Sequence, residues 1–221
     1  MPREHYDQQL RSLQDDLLRL ASLVEASIRR SIDALKNQDV EEARRVIADD
    51  DLIDRRQYAL EDKALLLIAR QAPMAADLRM ISAVISIASE LERMGDYAEG
   101  IAKITIRGAN EPLLKPLIDI PRMAELAQSM LREALDAFVN RDVEAARKLA
   151  AEDHEVDELT LQVQNELLEY MQRDPGNIER ALHLIFVAHN LERLADRTTN
   201  IAERLIFVVT GEVVDLNAKF G

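Results

Sequence analysis

Leu191-Glu192-Arg193-Leu194-Ala195-Asp196-Arg197-Thr198-Thr199-Asn200-Ile201-Ala202-Glu203 decides the fold, because the chain has already spelled much of it once. One hundred residues earlier stand Leu91-Glu92-Arg93-Met94-Gly95-Asp96 and then Ile101-Ala102. Residues 91–102 and 191–202 share 6 of 12 identities at an offset of 100. Upstream, residues 37–54 and 140–157 share 9 of 18 at an offset of 103. Repetition of this kind identifies an internal duplication before any fold is assigned. The offset changes between the blocks where the Ala72-Pro73 and Asp174-Pro175 turns differ, which is where a change of length is tolerated.

Each repeat reads as three helices. Tyr6, Leu10, Leu13, Leu17, Leu20, Val24, Ile28, Ile32 and Leu35 step by three and four, the apolar stripe of a first helix over 4–36. Asp39, with Glu42 at the capping-box position, opens a second helix that runs to about 71, because Pro73 disfavours helical geometry at Ala72. A third is predicted over 74–106. Residues 107–121 hold Pro112, Pro116 and Pro121 with Gly108 and Asn110, and read as the connection between halves. Further helices are predicted over 122–139, from about 142 to 172, and over 178–210, with Gly211 as the stop and a frayed tail after it. The expected architecture is all-α: two tandem antiparallel three-helix bundles from an internal duplication, packed side by side. Residues 1–108 form the first repeat, 109–121 the connector, 122–211 the second repeat and 212–221 the tail.

Composition agrees and excludes. The 221 residues are 48% hydrophobic and 31% charged with only 6 Gly and 6 Pro, a scarcity of turn residues that suits long helices. Cysteine is absent, which rules out disulfides and thiolate metal sites and fits a reducing compartment. The longest apolar run, Ala64–Ala69, is far short of the ~20 residues of a membrane span. No signal peptide precedes the first helix, so an intracellular, soluble protein is expected. A formal charge of −13 argues against nucleic-acid binding and suits cations and basic surfaces better, although an acidic surface is also ordinary and charge alone decides little.

The chemistry lies in acidic pairs spaced by four. Asp50/Asp54 and Glu92/Asp96 in the first repeat match Asp153/Asp157 and Glu192/Asp196 in the second. Residues i and i+4 share a helix face, so each pair aims two like charges one way, at a cost of roughly 0.2–0.5 kcal/mol on an isolated helix. Four carboxylates from two helices form an all-oxygen set suited to hard cations or iron. The same pairs also fit a plain charged face, copied by duplication, on a metal-free helical scaffold. A ferritin-like oxidase is disfavoured, since that fold wants Glu-x-x-His and Gly95 and Ala195 stand where the histidines would. His154 and His189 read as surface or satisfied histidines, and no Gly-rich phosphate loop or nucleophile elbow is present.

With Leu-Glu-Arg-φ-Gly/Ala-Asp in each third helix and Pro73-Met74-Ala75-Ala76-Asp77-Leu78-Arg79 opening the first of them, the chain resembles the PhoU family over about 4–210. The resemblance implies a non-enzymatic, cytoplasmic negative regulator of phosphate uptake and phosphate-starvation signalling. The implied partners are the ATPase subunit of the phosphate transporter, the sensor histidine kinase and a second copy of the chain. It also implies metal ions or clusters (iron, manganese, magnesium or zinc) at Asp50, Asp54, Glu92 and Asp96 and at Asp153, Asp157, Glu192 and Asp196. The family's Asn-Ile-Ala-Glu continuation survives as Asn200-Ile201-Ala202-Glu203 but becomes Gly100-Ile101-Ala102-Lys103 in the first repeat. On that ground the second cluster ranks above the first.

Overall fold

The computed structural model describes residues 2–217, with side chains from Glu4 onward. Six α-helices occupy these residues: α1 (Pro2–Asn37), α2 (Val40–Gln71), α3 (Ala76–Gly108), α4 (Asp119–Asn140), α5 (Val143–Arg173) and α6 (Ile178–Thr210), with one 3-10 turn at Pro175–Asn177. The repeat is visible in the caps. Asp39 Oδ1 accepts the Glu42 N–H at 2.9 Å, and Asp142 Oδ1 accepts the Ala145 N–H at 3.0 Å, each satisfying one orphan donor of a helix start. Gln38 and Arg141, the residues that turn the chain into these caps, adopt φ of 50° and 57°. Glu42 does not reach back to complete a capping box. Its carboxylate bridges Arg30 at 2.5 Å and Arg45 at 2.7 Å, tying α2 to α1.

Three boundaries differ from the sequence expectation for physical reasons. α3 begins at Ala76 rather than Met74, since Ala72 and Ala75 both take positive φ around Pro73. α4 begins at Asp119, so Pro121 lies inside its first turn, where a missing N–H costs nothing. The tail is not frayed through residue 217. Gly211 stops α6 at φ 80°, and the chain then folds back so that the Leu216 N–H donates to Glu203 Oε1 at 2.8 Å. Residues 218–221 lie outside the described residues.

The two three-helix bundles share one continuous core that runs from Leu13 in α1 to Val208 in α6. α3 and α6 form its centre and pack against each other as extensively as α6 packs against α5. α2 touches only α1 and α3, while α5 touches only α4, α6 and the short 3-10 turn. The second helix of each repeat is therefore an outer helix with one uncovered face.

Candidate functional site: two carboxylate clusters

Where α2 meets α3, Asp50 and Asp54 face Glu92, Asp96 and Glu99. Ligand oxygens of Asp50, Asp96 and Glu99 all lie within 4.8 Å of one another, the one set of three that converges so tightly among the described residues. Gly95 is what lets the helices close here. A Cβ at that position would stand 3.1 Å from Asp50 Oδ1 and 3.1 Å from Ile53 Cδ1. Asp50 Oδ1 is buried without a hydrogen-bond partner, although a buried acceptor left unmet costs ~1–3 kcal/mol. Burial, reinforced by Glu99, Asp54, Asp96 and Glu92, pushes the Asp50 carboxyl up to about 7. Glu92 and Asp96 also sit above the ordinary carboxylate range, through burial first and then repulsion, with Arg93 opposing at both and Lys103 at Asp96. Lys103 pairs with Glu99 at 2.5 Å.

The second cluster repeats the plan with different compensation. Asp153 of α5 is only 8% exposed, and burial with Asp196, Asp157 and Glu192 nearby pushes it up to about 7 as well. Burial raises Asp196 too, against the pull of Arg193. Arg193 Nη1 donates to Asp196 at 2.9 Å, and His189 Nδ1 stands 3.1 Å from Glu192. Two of the four carboxylates therefore have protein neighbours of their own. The cluster lies in an open groove of about 1030 Å³ between α5 and α6, closed at one end by Leu216 and Asn217 of the tail. His154 is solvent-facing and reaches only Glu158, at 3.5 Å.

All eight carboxylates read from the sequence thus fall into the two expected sets of four. Of the two grounds for ranking the second above the first, the charge reversal reaches the first cluster, since Lys103 pairs with Glu99 and opposes the rise at Asp96, while the lost amide does not. Asn200 Nδ2 donates to Glu90 across the α3–α6 seam at 3.2 Å, and Glu203 holds the tail. Neither is hydrogen-bonded to the carboxylate set, so their replacement by Gly100 and Lys103 removes no hydrogen bond from the first cluster. Glu99 was missed because its counterpart is Thr199, and a search for residues shared by both repeats passes over it. The signal was there: Glu99 is three residues after Asp96 and seven after Glu92, on the same helix face. An all-carboxylate set with an unpartnered buried oxygen fits a hard divalent cation or iron, which would meet the orphan acceptor and neutralise the repulsion.

Likeness to known proteins follows the same duplication. The family model for the PhoU domain matches twice, at residues 17–105 and 120–205. The chain is 38% identical over 218 residues to the phosphate-specific transport system accessory protein PhoU homolog of Clostridium acetobutylicum, covering 98% of this chain and 100% of the relative. It is 41% identical over 206 residues to the homolog of Aquifex aeolicus, covering 93% of each chain. Among solved structures it resembles PhoU from Pseudomonas aeruginosa with a TM-score of 0.89 at 31% identity, covering 94% of this chain and 100% of that one. The phosphate transport system regulatory protein PhoU from Streptococcus pneumoniae gives 0.87 at 31% identity, covering 95% and 99%. With two matched domains, paired carboxylates in each and full-length relatives, the chain belongs to the PhoU family.

Proposed function

We propose that this chain is an accessory protein of a phosphate-specific transport system, acting as a cytoplasmic adaptor and negative regulator with no catalysis of its own. The observation that carries the reading is the end-to-end match to relatives bearing that name, 98% of this chain against 100% of the relative. Its partners are the transporter's ATPase subunit, the phosphate-sensing histidine kinase and a second copy of itself. No helix among the described residues is long and apolar enough to cross a membrane, which suits attachment through partners. Pull-down of the two subunits with the full chain, at high and low phosphate, tests the partners. Retention of at least one in a phosphate-dependent manner is expected, and retention of neither overturns the reading.

The carboxylate clusters serve this role as divalent-metal or iron sites. Asp50, Asp96 and Glu99, with Asp54 and Glu92 beside them, would hold one ion or cluster; Asp153, Asp157, Glu192 and Asp196 would hold another. A bound cation supplies charge neutralisation, and the chain's own carboxylates then fasten α2 to α3 and α5 to α6. That would set the rigidity of each outer helix rather than drive a reaction. A ferritin-like oxidase has no support in the residues, since Gly95 and Ala195 occupy the positions where it needs histidine.

A further inference from the structure

The uncovered faces of α2 and α5 carry apolar residues at matching positions. Tyr58 and Leu65 of α2 are 68% and 52% exposed; Leu161 and Leu168 of α5, which stand 103 residues later, are 60% and 47% exposed. A spacing of seven keeps each pair on one helix face, and Asp54 and Asp157, four residues before Tyr58 and Leu161, share that face. Isolated exposed apolar residues are ordinary, but the same pair exposed at equivalent places in both repeats, beside a carboxylate cluster, forms a surface.

Charge distinguishes the two copies and selects the occupant. From 149 to 172, α5 holds seven acidic residues and neither Lys nor Arg, whereas over the matching span 46–69 α2 sets Arg55, Arg56 and Lys63 against six acidic residues. In the groove beside α5, Leu161 lies next to Glu158 and above the carboxylate set, and α5 keeps Glu152, Glu155, Glu158, Glu166 and Glu169 outside that set, so its negative charge survives a bound cation. The two arginines there are already engaged, Arg193 with Asp196 at 2.9 Å and Arg197 with Glu90 at 3.2 Å. An apolar strip walled by carboxylates complements an amphipathic helix with one apolar face and Lys or Arg along its edges. Anionic membrane would be repelled by the same walls.

From this geometry we infer that the uncovered face of α5 docks a basic amphipathic helix of a partner protein, anchored on Leu161 at the α5–α6 groove and on Leu168 two turns further along the helix. The less acidic copy on α2 takes the same shape of ligand with lower affinity. This extends the adaptor reading by giving the chemistry of the partner segment, yet it stands on the face alone. Failure to retain a transporter or kinase subunit would leave it intact.

The test uses the full chain and three fluorescent synthetic peptides of equal length: an amphipathic Leu/Lys helix, its Leu/Glu counterpart, and a scrambled Leu/Lys peptide with no apolar face. Anisotropy titrations should show tight binding of the first only. Leu161→Gln with Leu168→Gln should weaken it at least ~10-fold, as truncating central apolar anchors does. Glu158→Gln with Glu169→Gln, both outside the metal set, should weaken it and flatten its salt dependence. Ile178→Gln with Phe186→Gln, an exposed apolar pair on α6, is the control that should change nothing, and thermal melts confirm that all variants fold. Equal binding of the scrambled or Leu/Glu peptide, equal loss in the control, or capture by anionic vesicles would overturn the proposal.

Discussion

Replacing Asp50 with Asn should stabilise the metal-free protein, and by an amount that depends on pH. The Asp50 carboxyl is held near 7 against 3.8 in its ordinary state, chiefly by burial and then by Glu99, Asp54, Asp96 and Glu92. Between those values the folded chain binds a proton that the unfolded chain has released. Stability therefore falls as pH rises from about 4 to about 7 and levels off above, the reverse of a salt-bridged aspartate. A shift of about 3 units corresponds to ~4 kcal/mol at ~1.36 kcal/mol per unit. Asp50 is only half-buried, and solvent screening reduces this to on the order of 1–2 kcal/mol. Asn has the same shape, carries no charge and can donate to the surrounding carboxylates. Its advantage over the wild type should be nearly absent at pH 3, grow through the window and reach its full size by pH 8.

Urea and thermal unfolding at pH 4 and pH 8 in the presence of a chelator measure this directly. For a chain of this length, 1 kcal/mol moves the melting temperature by about 2–4 °C, so a gain of several degrees at pH 8 is expected. Added Mn²⁺ should reverse the order. A ligand at 100 times its Kd stabilises by ~2.7 kcal/mol, and Asp50→Asn removes the oxygen best placed to receive it. An equal gain at both pH values, a loss at pH 8, or an identical response to Mn²⁺ would refute the account of Asp50 as a desolvated, unpartnered ligand.

Other substitutions separate site from scaffold. Asp39→Ala should cost ~1 kcal/mol through the lost α2 cap, read in urea unfolding, with cation binding unchanged. Gly95→Ala puts a methyl group 3.1 Å from Asp50 Oδ1. Its helix-propensity gain of ~1 kcal/mol should roughly offset the crowding, while calorimetry shows weaker Mn²⁺ binding at the first cluster. Asn200→Ala should lower stability by about 1 kcal/mol through the lost bond to Glu90 and leave Mn²⁺ affinity unaltered.

The helices and the two sets of four carboxylates were legible because both are periodic. Leu13, Leu17, Leu20, Val24 and Ile28 are all within 1% exposure of full burial, as their spacing requires. An i,i+4 acidic pair must share a face whatever the tertiary fold. What escaped the sequence depends on contacts between elements. Glu99 joins the first cluster because Gly95 draws α2 against α3, and that approach distance is not written in either helix alone. The fate of residues 212–217 was hidden for the same reason. Nothing local announces that Glu203, on a buried flank of α6, accepts the Leu216 N–H and folds the segment back. Asn200 weighed in the ranking of the two clusters because it continues the Glu192/Asp196 motif, whereas its partner Glu90 lies across the seam, 110 residues away.

The seam also explains why the repeats differ at position 100, and this can be tested. On one side of the α3–α6 crossing Glu90 accepts from both Asn200 and Arg197 at 3.2 Å. On the other side Asn190, the counterpart of Glu90, crowds Gly100, the counterpart of Asn200: a Cβ there would stand 3.0 Å from Asn190 Nδ2. At the second crossing a side chain at position 100 would run into the Asn190 amide, which must move aside before any hydrogen bond between the two can form. Gly100→Asn restores the motif of the second repeat and gains a few tenths of a kcal/mol in helix propensity, yet it should be net destabilising by about 1 kcal/mol. Asn190 is half-buried and ends in a flexible amide, so shortening it to Ala should recover most of that loss, giving a coupling of ~0.5–1 kcal/mol in a double-mutant cycle. Mn²⁺ affinity should not change in any corner of the cycle, because position 100 faces α6 and not the carboxylates. A cost independent of residue 190, or a gain in metal affinity from Gly100→Asn, would return the divergence at position 100 to the metal site and remove it from the packing of the two bundles.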